Sequence, residues 1–144
     1  MRISEILQTK GSAVVTVRPD QSVRELVSLL AAHNVGATVV SDDQRDVLGI
    51  VSERDVVRGL VDGAEVLDHR VAAIMTPADR VRTCAPNESV DRLAELMTAN
   101  RIRHVPVLDD DGVLCGLVSI GDVVKSRIGE LQLQRDELEH YVTS

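Results

Sequence analysis

Aromatic side chains are almost absent from this chain of 144 residues, in which Tyr141 is the only member of the class. A hydrophobic core must therefore be built from Val, Leu, Ile and Ala. A planar ligand would be held between aliphatic side chains, because the sequence offers no rings for stacking. The same absence, together with a formal net charge of −7, argues against a nucleic-acid partner, which needs a basic surface and often base-stacking rings.

Cysteine is also scarce. Cys84 and Cys115 form no Cys-x-x-Cys pair and have no His at metal-ligand spacing, so the sequence predicts no metal site. Both are expected to be small buried strand residues in a reducing compartment. The sequence also lacks an apolar run of membrane-spanning length and a signal-peptide pattern. We therefore expect a cytoplasmic location and no membrane partner.

The chain does contain a repeat at a fixed offset of 67 residues (116 − 49). The segment 49–57 returns as 116–124, and the segment 16–19 returns as 83–86. Self-similarity at one offset indicates a duplicated structural unit, and two copies are too few for a solenoid. The sequence therefore predicts a pseudo-twofold pair, in which a site built by the first copy has a sister in the second.

Each copy shows the same order of predicted elements, β-α-β-β-α, so the expected fold class is α/β (α+β). Ser22 and Ser89 are predicted N-caps of helices whose apolar residues recur every three or four positions. Short β-branched and apolar runs between polar turns predict the strands. In chain order these strands are 14–17, 37–41 and 47–51 in the first copy, and 81–84, 104–108 and 113–118 in the second.

A short amphipathic helix is predicted to open each copy. Its apolar face lies at 3–7 in the first copy and returns at 71–75 in the second, with a shift of one residue in the offset. The polar stretch 62–70 between the copies is typical of a linker. We therefore divide the chain into two domains, residues 1–67 and residues 68–144.

The last predicted helix begins at Ser119 and is longer than its counterpart in the first copy. Its apolar residues alternate spacings of four and three from Val124 to Val142, except that Arg135 occupies one of the positions. The pattern fits a helix packed on its own domain, and it also fits a heptad-like seam against another subunit. The second domain therefore carries an extended C-terminal helix with two possible partners.

The motif Ser52-x-x-Asp55 and its copy Ser119-x-x-Asp122 have the most functional content. A Ser at an N-cap with an acid three residues later forms a capping box, which satisfies backbone N–H groups and needs no ligand. The same geometry suits a nucleoside phosphate. The helix N-terminus favours an anion, the Ser hydroxyl donates to a phosphate oxygen, and the Asp accepts from two ribose hydroxyls. Two copies, each behind Gly-apolar-apolar, make the second interpretation the stronger one.

Taken in order, these motifs resemble a tandem pair of CBS (cystathionine-β-synthase-type) domains, an arrangement called a Bateman module. The residues that carry the resemblance are Thr16-Val17-x-Pro19-x-x-Ser22-Val23, Gly49-Ile50-Val51-Ser52-x-x-Asp55, their copies at 83–90 and 116–122, Arg103-His104-Val105-Pro106-Val107 and the lead-in Ile74-Met75-Thr76. The resemblance implies domains that pack through their sheets, two clefts between them, and disc-like homodimers. Such clefts usually bind an adenosyl compound: AMP, ADP, ATP, S-adenosylmethionine or sometimes a dinucleotide such as NAD.

Carried over by matching position, the resemblance implies two ligand sites. In each site one Asp would hold the ribose, one Ser would contact a phosphate, and one Thr would contact the adenosine end. Backbone groups of the second strand would recognise the adenine edge. The implied site 1 consists of Lys10, Thr16, Gly36, Ala37, Thr38, Ser52, Arg54 and Asp55. The implied site 2 consists of Thr83, Arg103, His104, Val105, Pro106, Ser119, Gly121 and Asp122.

The two implied sites are not identical. Site 2 has Arg103 where site 1 has Gly36, and site 1 has Arg54 where site 2 has Gly121. We therefore expect the phosphate charge to be met from different directions in the two clefts. Lys10 is expected to reach a phosphate of site 1.

These observations predict a nucleotide-sensing regulatory module in which the adenosyl compound is a regulatory ligand rather than a catalytic cofactor. The sequence contains no nucleophile elbow, Walker A loop or Gly-x-Gly-x-x-Gly fingerprint, so we expect no enzymatic activity. The output would pass to a separate downstream protein or to a changed oligomer. The alternative is an interaction scaffold with vestigial clefts and the long last helix as its working surface. A small adenylate-processing enzyme is the third possibility.

Overall fold

Two similar units follow each other in the structure, a computed structural model that describes residues 1–143. The first unit and its lead-in comprise α1 (Ile3–Lys10), β1 (Thr16–Val17), α2 (Val23–His33), β2 (Ala37–Val40), β3 (Gly49–Ser52) and α3 (Glu53–Leu60). The second comprises β4 (Thr76–Pro77), α4 (Val90–Asn100), β5 (His104–Leu108), β6 (Leu114–Ser119) and α5 (Ile120–Thr143). The predicted α/β fold class and the long C-terminal helix are confirmed.

Helices α2 and α4 occupy equivalent positions and begin in the same way. Ser22 Oγ accepts a hydrogen bond from the backbone N–H three residues later (3.1 Å), and Ser89 Oγ does the same (3.1 Å). Both predicted N-caps are therefore confirmed. The helices end at Asn34 and Arg101, whose left-handed backbone (φ 52° and 53°) reverses the chain toward the next strand.

The strands form two sheets. The larger has the order β1-β2-β3-β4, with β1 parallel to β2 and the other pairs antiparallel, and β5 and β6 form an antiparallel pair. Ala37 lies opposite Ser52 in the first sheet, and His104 lies opposite Ser119 in the second. Each Ser-x-x-Asp motif therefore sits where a strand passes directly into a helix, at the same place in both copies.

The predicted strand 81–84 is wrong. Only an isolated bridge between Cys84 and Val107 remains. In it the Cys84 N–H donates to the Pro106 carbonyl, and the Cys84 carbonyl accepts from the Leu108 N–H. Pro106 stands where the first copy has Val39, and proline has no N–H to donate to a ladder. The parallel pairing therefore stops at one residue in the second copy.

The helix predicted over 71–75 is also wrong. A single 3₁₀ turn, Val71–Ala73, is followed by the extended residues of β4. Proline disfavours the helical conformation of the residue before it, so Pro77 keeps Thr76 extended. Thr76 then pairs with Ile50, and the lead-in of the second copy becomes the fourth strand of the first sheet.

The opening segments pack on the opposite copies. Ile3, Ile6 and Leu7 of α1 lie in the core of the second copy, beside the buried Leu93 and Met97. The first core is completed by Val66, Val71, Ile74 and Met75, which follow α3 in the chain. We call these segments, residues 3–10 and 71–75, the crossed lead-ins, because each packs on the other copy. The predicted domain boundary between residues 67 and 68 does not separate the two cores in this way, and it stays a prediction.

Two further features complete the fold. The hairpins of the two copies contact each other, since the Leu114 N–H donates to the Arg45 carbonyl (2.8 Å). Among the residues that the structure describes, no helix combines the length and apolar character that a membrane crossing requires.

Candidate functional site

A cleft of about 560 Å³ lies between the two copies, at the first turn of α3. Both copies contribute to its walls, because the connection from α4 to β5 faces α3 and the start of β2. Cationic, acidic and aliphatic side chains share this space, whose lining residues are Gly36, Ala37, Ile50, Ser52, Glu53, Arg54, Asp55, Val57, Arg58, Thr76, Arg101, Ile102, Arg103 and His104.

Ser52 and Asp55 form a capping box at the start of α3. The Ser52 N–H donates to Asp55 Oδ2 (2.8 Å), and the Asp55 N–H donates to Ser52 Oγ (3.4 Å). The Ser52 hydroxyl also donates to Oδ2 (3.2 Å). Within residues 1–143, Oδ1 of Asp55 receives no hydrogen bond. Capping and ligand binding are therefore compatible, since the cap uses only one carboxylate oxygen.

The second copy builds the same turn and adds a cation to it. The Ser119 N–H donates to Asp122 Oδ2 (2.8 Å), and the Asp122 N–H donates to Ser119 Oγ (3.1 Å). Lys10 Nζ donates to the same Oδ2 (2.7 Å) and to the Leu117 carbonyl (2.7 Å). The prediction grouped Lys10 with site 1, but the structure places its ammonium at the other turn, because α1 packs on the second copy.

The Lys10 ammonium changes the titration of Asp122. Burial raises the pKa of the Asp122 carboxyl, but the hydrogen bonds from Lys10 and the Ser119 backbone and the charge of Lys10 outweigh it. The pKa therefore lies below its ordinary value. The carboxylate of the second turn is ionised and paired at neutral pH.

Four guanidinium groups line the cleft, from Arg54, Arg58, Arg101 and Arg103. The prediction assigned Arg54 and Arg103 to different clefts, and the structure brings them into the same one. The pseudo-twofold arrangement is the reason, since it sets the start of β5 beside the start of β2. Among the described residues, none of the four forms an ion pair or a side-chain hydrogen bond.

His104 lies in the same cleft at the start of β5. Burial lowers its pKa most, and the charge of Lys10 lowers it further, against the opposing effects of Asp122 and Glu53. Since the ordinary value is 6.5, the imidazole is neutral at neutral pH. The positive charge of the cleft therefore comes from its arginines.

The remaining predicted residues of site 1 divide into two groups. Gly36 and Ala37 line the cleft beside the Ser-Asp turn, as predicted. Thr38 is fully buried, and its hydroxyl donates to the Val15 carbonyl, so this side chain is occupied within the core. Thr16 is half-buried in β1 and is absent from the cleft lining.

The predicted residues of site 2 are dispersed. Arg103 and His104 belong to the cleft beside Asp55, while Ser119, Gly121 and Asp122 lie at the turn from β6 into α5. The remaining members are Val105 and Pro106, which are buried in β5, and Thr83, which is exposed.

Sequence reasoning missed half of the cleft lining. Arg58 follows Arg54 by four positions, which places both on the same face of a helix and could have identified it. Thr76 belongs to the lead-in motif that the sequence did single out. Nothing local in the sequence indicates the others, because their place depends on how the copies pack. The missed residues are Ile50, Glu53, Val57, Arg58, Thr76, Arg101 and Ile102.

Comparison with known proteins extends over nearly the whole chain. A family model described as the CBS domain matches twice, over residues 3–62 and 71–129. The mitochondrial CBS domain-containing protein CBSX3 of Arabidopsis thaliana is 37% identical over 147 residues, which cover 97% of this chain and 71% of the relative.

Solved structures share the arrangement of the two copies. A CBS-domain-containing protein from Agrobacterium tumefaciens has a TM-score of 0.83 and 45% identity, covering 88% of this chain and 99% of that one. A CBS domain protein from Pyrobaculum aerophilum, complexed with AMP, has a TM-score of 0.74 and 30% identity over 85% and 89% of the chains. A CBS domain pair in complex with 5′-methylthioadenosine and S-adenosyl-L-methionine has a TM-score of 0.78 and 26% identity over 90% and 98%.

Proposed function

Because the chain belongs to the CBS domain family and carries two copies of the domain, we propose that it is an adenosyl-nucleotide-binding regulatory module. The single observation that carries the proposal is the composition of the cleft beside Asp55. One space of about 560 Å³ combines a carboxylate, a serine at a helix N-terminus, guanidinium groups and aliphatic side chains. The AMP complex and the S-adenosyl-L-methionine complex of similar proteins support it.

Each part of an adenosine phosphate finds a partner of suitable chemistry in this cleft. Asp55 accepts hydrogen bonds from the ribose hydroxyls through Oδ1, while Oδ2 keeps the cap. Ser52 and the first N–H groups of α3 meet a phosphate, since a helix N-terminus favours an anion. Ile50, Val57 and Ile102 cover the base with aliphatic surface in place of aromatic rings. AMP, ADP and ATP are the first candidates, followed by NAD and S-adenosylmethionine.

The Ser119–Asp122 turn is proposed as a second, weaker site. A ribose there competes with Lys10 for the Asp122 carboxylate, since the ammonium lies 2.7 Å from Oδ2. Alternatively Lys10 turns toward a phosphate and releases the carboxylate to the sugar. By matching position in the repeat, Thr83 is proposed to contact the adenosine end of a ligand at this site. The backbone of Val105 and Pro106 is proposed to contact the adenine edge.

The ligand signals by changing the relation of the two copies, since both contribute to the cleft walls. Such a shift occurs only if the ligand binds one arrangement more tightly than the other. A coupling of about 1–3 kcal/mol is typical of such a device. The proposal has no catalytic step. It includes a homodimer, an unidentified downstream protein and a cytoplasmic location, which stay predictions from the sequence.

Isothermal titration calorimetry with adenosine, AMP, ADP and ATP tests the proposal, using Asp55→Ala and Asp122→Ala as a matched pair. Both variants lose the carboxylate of a capping box and should be less stable than the parent, and Asp122→Ala should lose more because it also breaks the ion pair with Lys10. Only Asp55→Ala should weaken binding in the cleft, by about tenfold or more, because a charge-assisted hydrogen bond is worth more than 1.4 kcal/mol. Equal affinities in the two variants would contradict the ribose role of Asp55.

A scaffold function remains the second candidate because one observation favours it. Apolar side chains along α5 are more than half exposed, including Ile128, Leu131, Leu138 and Val142. Thermal melts separate the two functions, since a ligand that binds only the native state raises its stability by mass action. Melting temperatures unchanged by every adenine compound would favour the scaffold, and an increase of several degrees favours the sensor.

A further inference from the structure

We infer that the cleft beside Asp55 selects ligands with two or more phosphates, held by guanidinium groups from both copies. The inference rests on the proposed function and specifies its ligand class. It starts from the charges of the lining. Four arginines face two carboxylates, from Glu53 and Asp55, while the chain as a whole carries a net charge of −7. Positive charge is therefore concentrated here against the overall balance of the protein.

Ion pairs do not neutralise the arginines of the cleft. Of the ten arginines elsewhere in the chain, four lie within 4.0 Å of a carboxylate oxygen among the described residues, namely Arg18, Arg24, Arg127 and Arg135, and six do not. Within residues 1–143, the four arginines of the cleft have no such partner. Like charges that share a cleft repel one another, and a bound polyanion relieves that repulsion. The planar guanidinium also matches phosphate oxygens in a bidentate way.

The four arginines come as two pairs from opposite walls. Arg54 and Arg58 are one turn apart on α3, so their side chains emerge from the same face of the helix. Arg101 and Arg103 belong to the connection between α4 and β5 in the other copy. A single phosphate at the N-terminus of α3 can engage one pair. A diphosphate or triphosphate extends far enough to engage both, and so links the two copies through its tail.

The same arrangement disfavours adenosyl ligands without phosphate. A methylthio nucleoside leaves the guanidinium groups unpaired, and the sulfonium cation of S-adenosylmethionine adds another positive charge to the cleft. His104 does not change this balance, since its imidazole is neutral at neutral pH and adds no charge of either sign. Nucleoside diphosphates and triphosphates are therefore the ligand class that matches the side chains of this cleft.

Calorimetric titration of the whole chain with adenosine, AMP, ADP and ATP, at constant ionic strength and without divalent cations, tests the inference. We expect the affinity to rise along this series, with ATP about tenfold or more tighter than AMP, because each charge-assisted contact to phosphate is worth about one decade. Arg58→Gln and Arg101→Gln should each weaken the binding of ATP more than the binding of AMP, and so remove most of this difference. Arg24→Gln, on an arginine outside the cleft, is the matched control and should bind as the parent protein does.

The outcomes separate the inference from the proposed function. Equal affinities for AMP and ATP, with clear binding of both, would overturn the polyphosphate preference and leave the nucleotide sensor intact. No binding of any compound would overturn the sensor as well. A uniform loss in Arg24→Gln and the cleft variants would indicate bulk charge rather than the two arginine pairs. Melting curves without ligand verify that each variant is folded.

Discussion

At the scale of single residues, Lys10 makes the two Ser-x-x-Asp turns unequal. Both turns form a capping box through Oδ2 of the Asp, but only Asp122 also accepts a hydrogen bond from an ammonium group. The first copy has no lysine at this place, and the lead-in residue Thr76 lines the cleft near its turn. Under the proposed function, Lys10 would compete with a ligand at one turn only.

Replacing Lys10 by Met should raise the pKa of Asp122, because a hydrogen bond and a favourable charge are lost while burial, which raises the pKa, remains. A carboxyl whose pKa is lowered by folding contributes stability above its unfolded pKa of about 3.9 and loses it as the pH falls through the folded value. The Lys10→Met variant should therefore lose less stability between neutral pH and pH 3 than the parent.

Carbon-13 NMR of the side-chain carboxyls measures the Asp122 titration directly, and unfolding at several pH values measures the stability. Lys125→Met is the control, since Lys125 is exposed on α5 and forms no ion pair among the described residues. An unchanged Asp122 titration in Lys10→Met would show that the ammonium does not hold this carboxylate in solution.

At the scale of elements, two equivalent glycines let the lead-in segments lie against the sheets. A Cβ at Gly49 would be 2.5 Å from the Thr76 carbonyl oxygen and 2.8 Å from Met75 Sδ. A Cβ at Gly116 would be 2.6 Å from a methyl carbon of Leu7. Both copies therefore have a glycine in the strand that the other copy's opening segment approaches. A larger residue would leave no space for that segment.

Gly49→Ala should destabilise the protein more than Gly116→Ala does. Overpacking costs about 1–3 kcal/mol, and the upper part of that range applies where the obstacle is backbone, as at Thr76, rather than the movable end of Leu7. Gly129→Ala is the matched control, because a Cβ there meets nothing within 4 Å and alanine favours a helix interior by about 0.5–1 kcal/mol. Urea unfolding measures all three, and a Gly49→Ala protein as stable as the parent would contradict the packing described.

At the scale of the whole molecule, the crossed lead-ins join the two copies into one cooperative unit. Each core contains residues that adjoin the other copy in the sequence, with Ile3 fully buried in the second core and Val71 fully buried in the first. Neither copy is therefore complete as a contiguous half of the chain. Under the proposed function, a nucleotide in the cleft would act on two copies that already share their cores.

Ile3→Ala should destabilise the whole chain by about 2–5 kcal/mol, as is usual when a fully buried aliphatic side chain is truncated. Although Ile3 belongs to the first copy in sequence, both copies should unfold in a single transition at lower denaturant concentration. During urea unfolding, circular dichroism measures the loss of secondary structure in both copies. Nucleotide binding measures the loss of the cleft between them. Leu131→Ala, on an exposed part of α5, should change stability by no more than about 0.5 kcal/mol. Separate transitions for the two signals would refute the interlocked arrangement.

The sequence by itself determined the features that depend on short stretches of chain. The fixed offset defined the duplicated unit, Ser22 and Ser89 marked the helix starts, and the Ser-x-x-Asp motifs identified the two equivalent turns. These could be predicted because a cap or an amphipathic face is a property of a few neighbouring residues. Two predictions for the second copy failed next to a proline. The strand 81–84 does not form beside Pro106, which has no N–H to donate, and the helix 71–75 does not form before Pro77, which keeps Thr76 extended.

Only the tertiary structure decided which of these residues meet. Arg54 and Arg103 were assigned to separate clefts, and Lys10 to the wrong turn, because the offset describes each copy alone and says nothing of how the copies pack. The contacts join residues far apart in the chain, as in the 2.7 Å ion pair between Lys10 and Asp122. Such contacts form because each crossed lead-in packs in the core of the other copy. No short stretch of sequence indicates that packing.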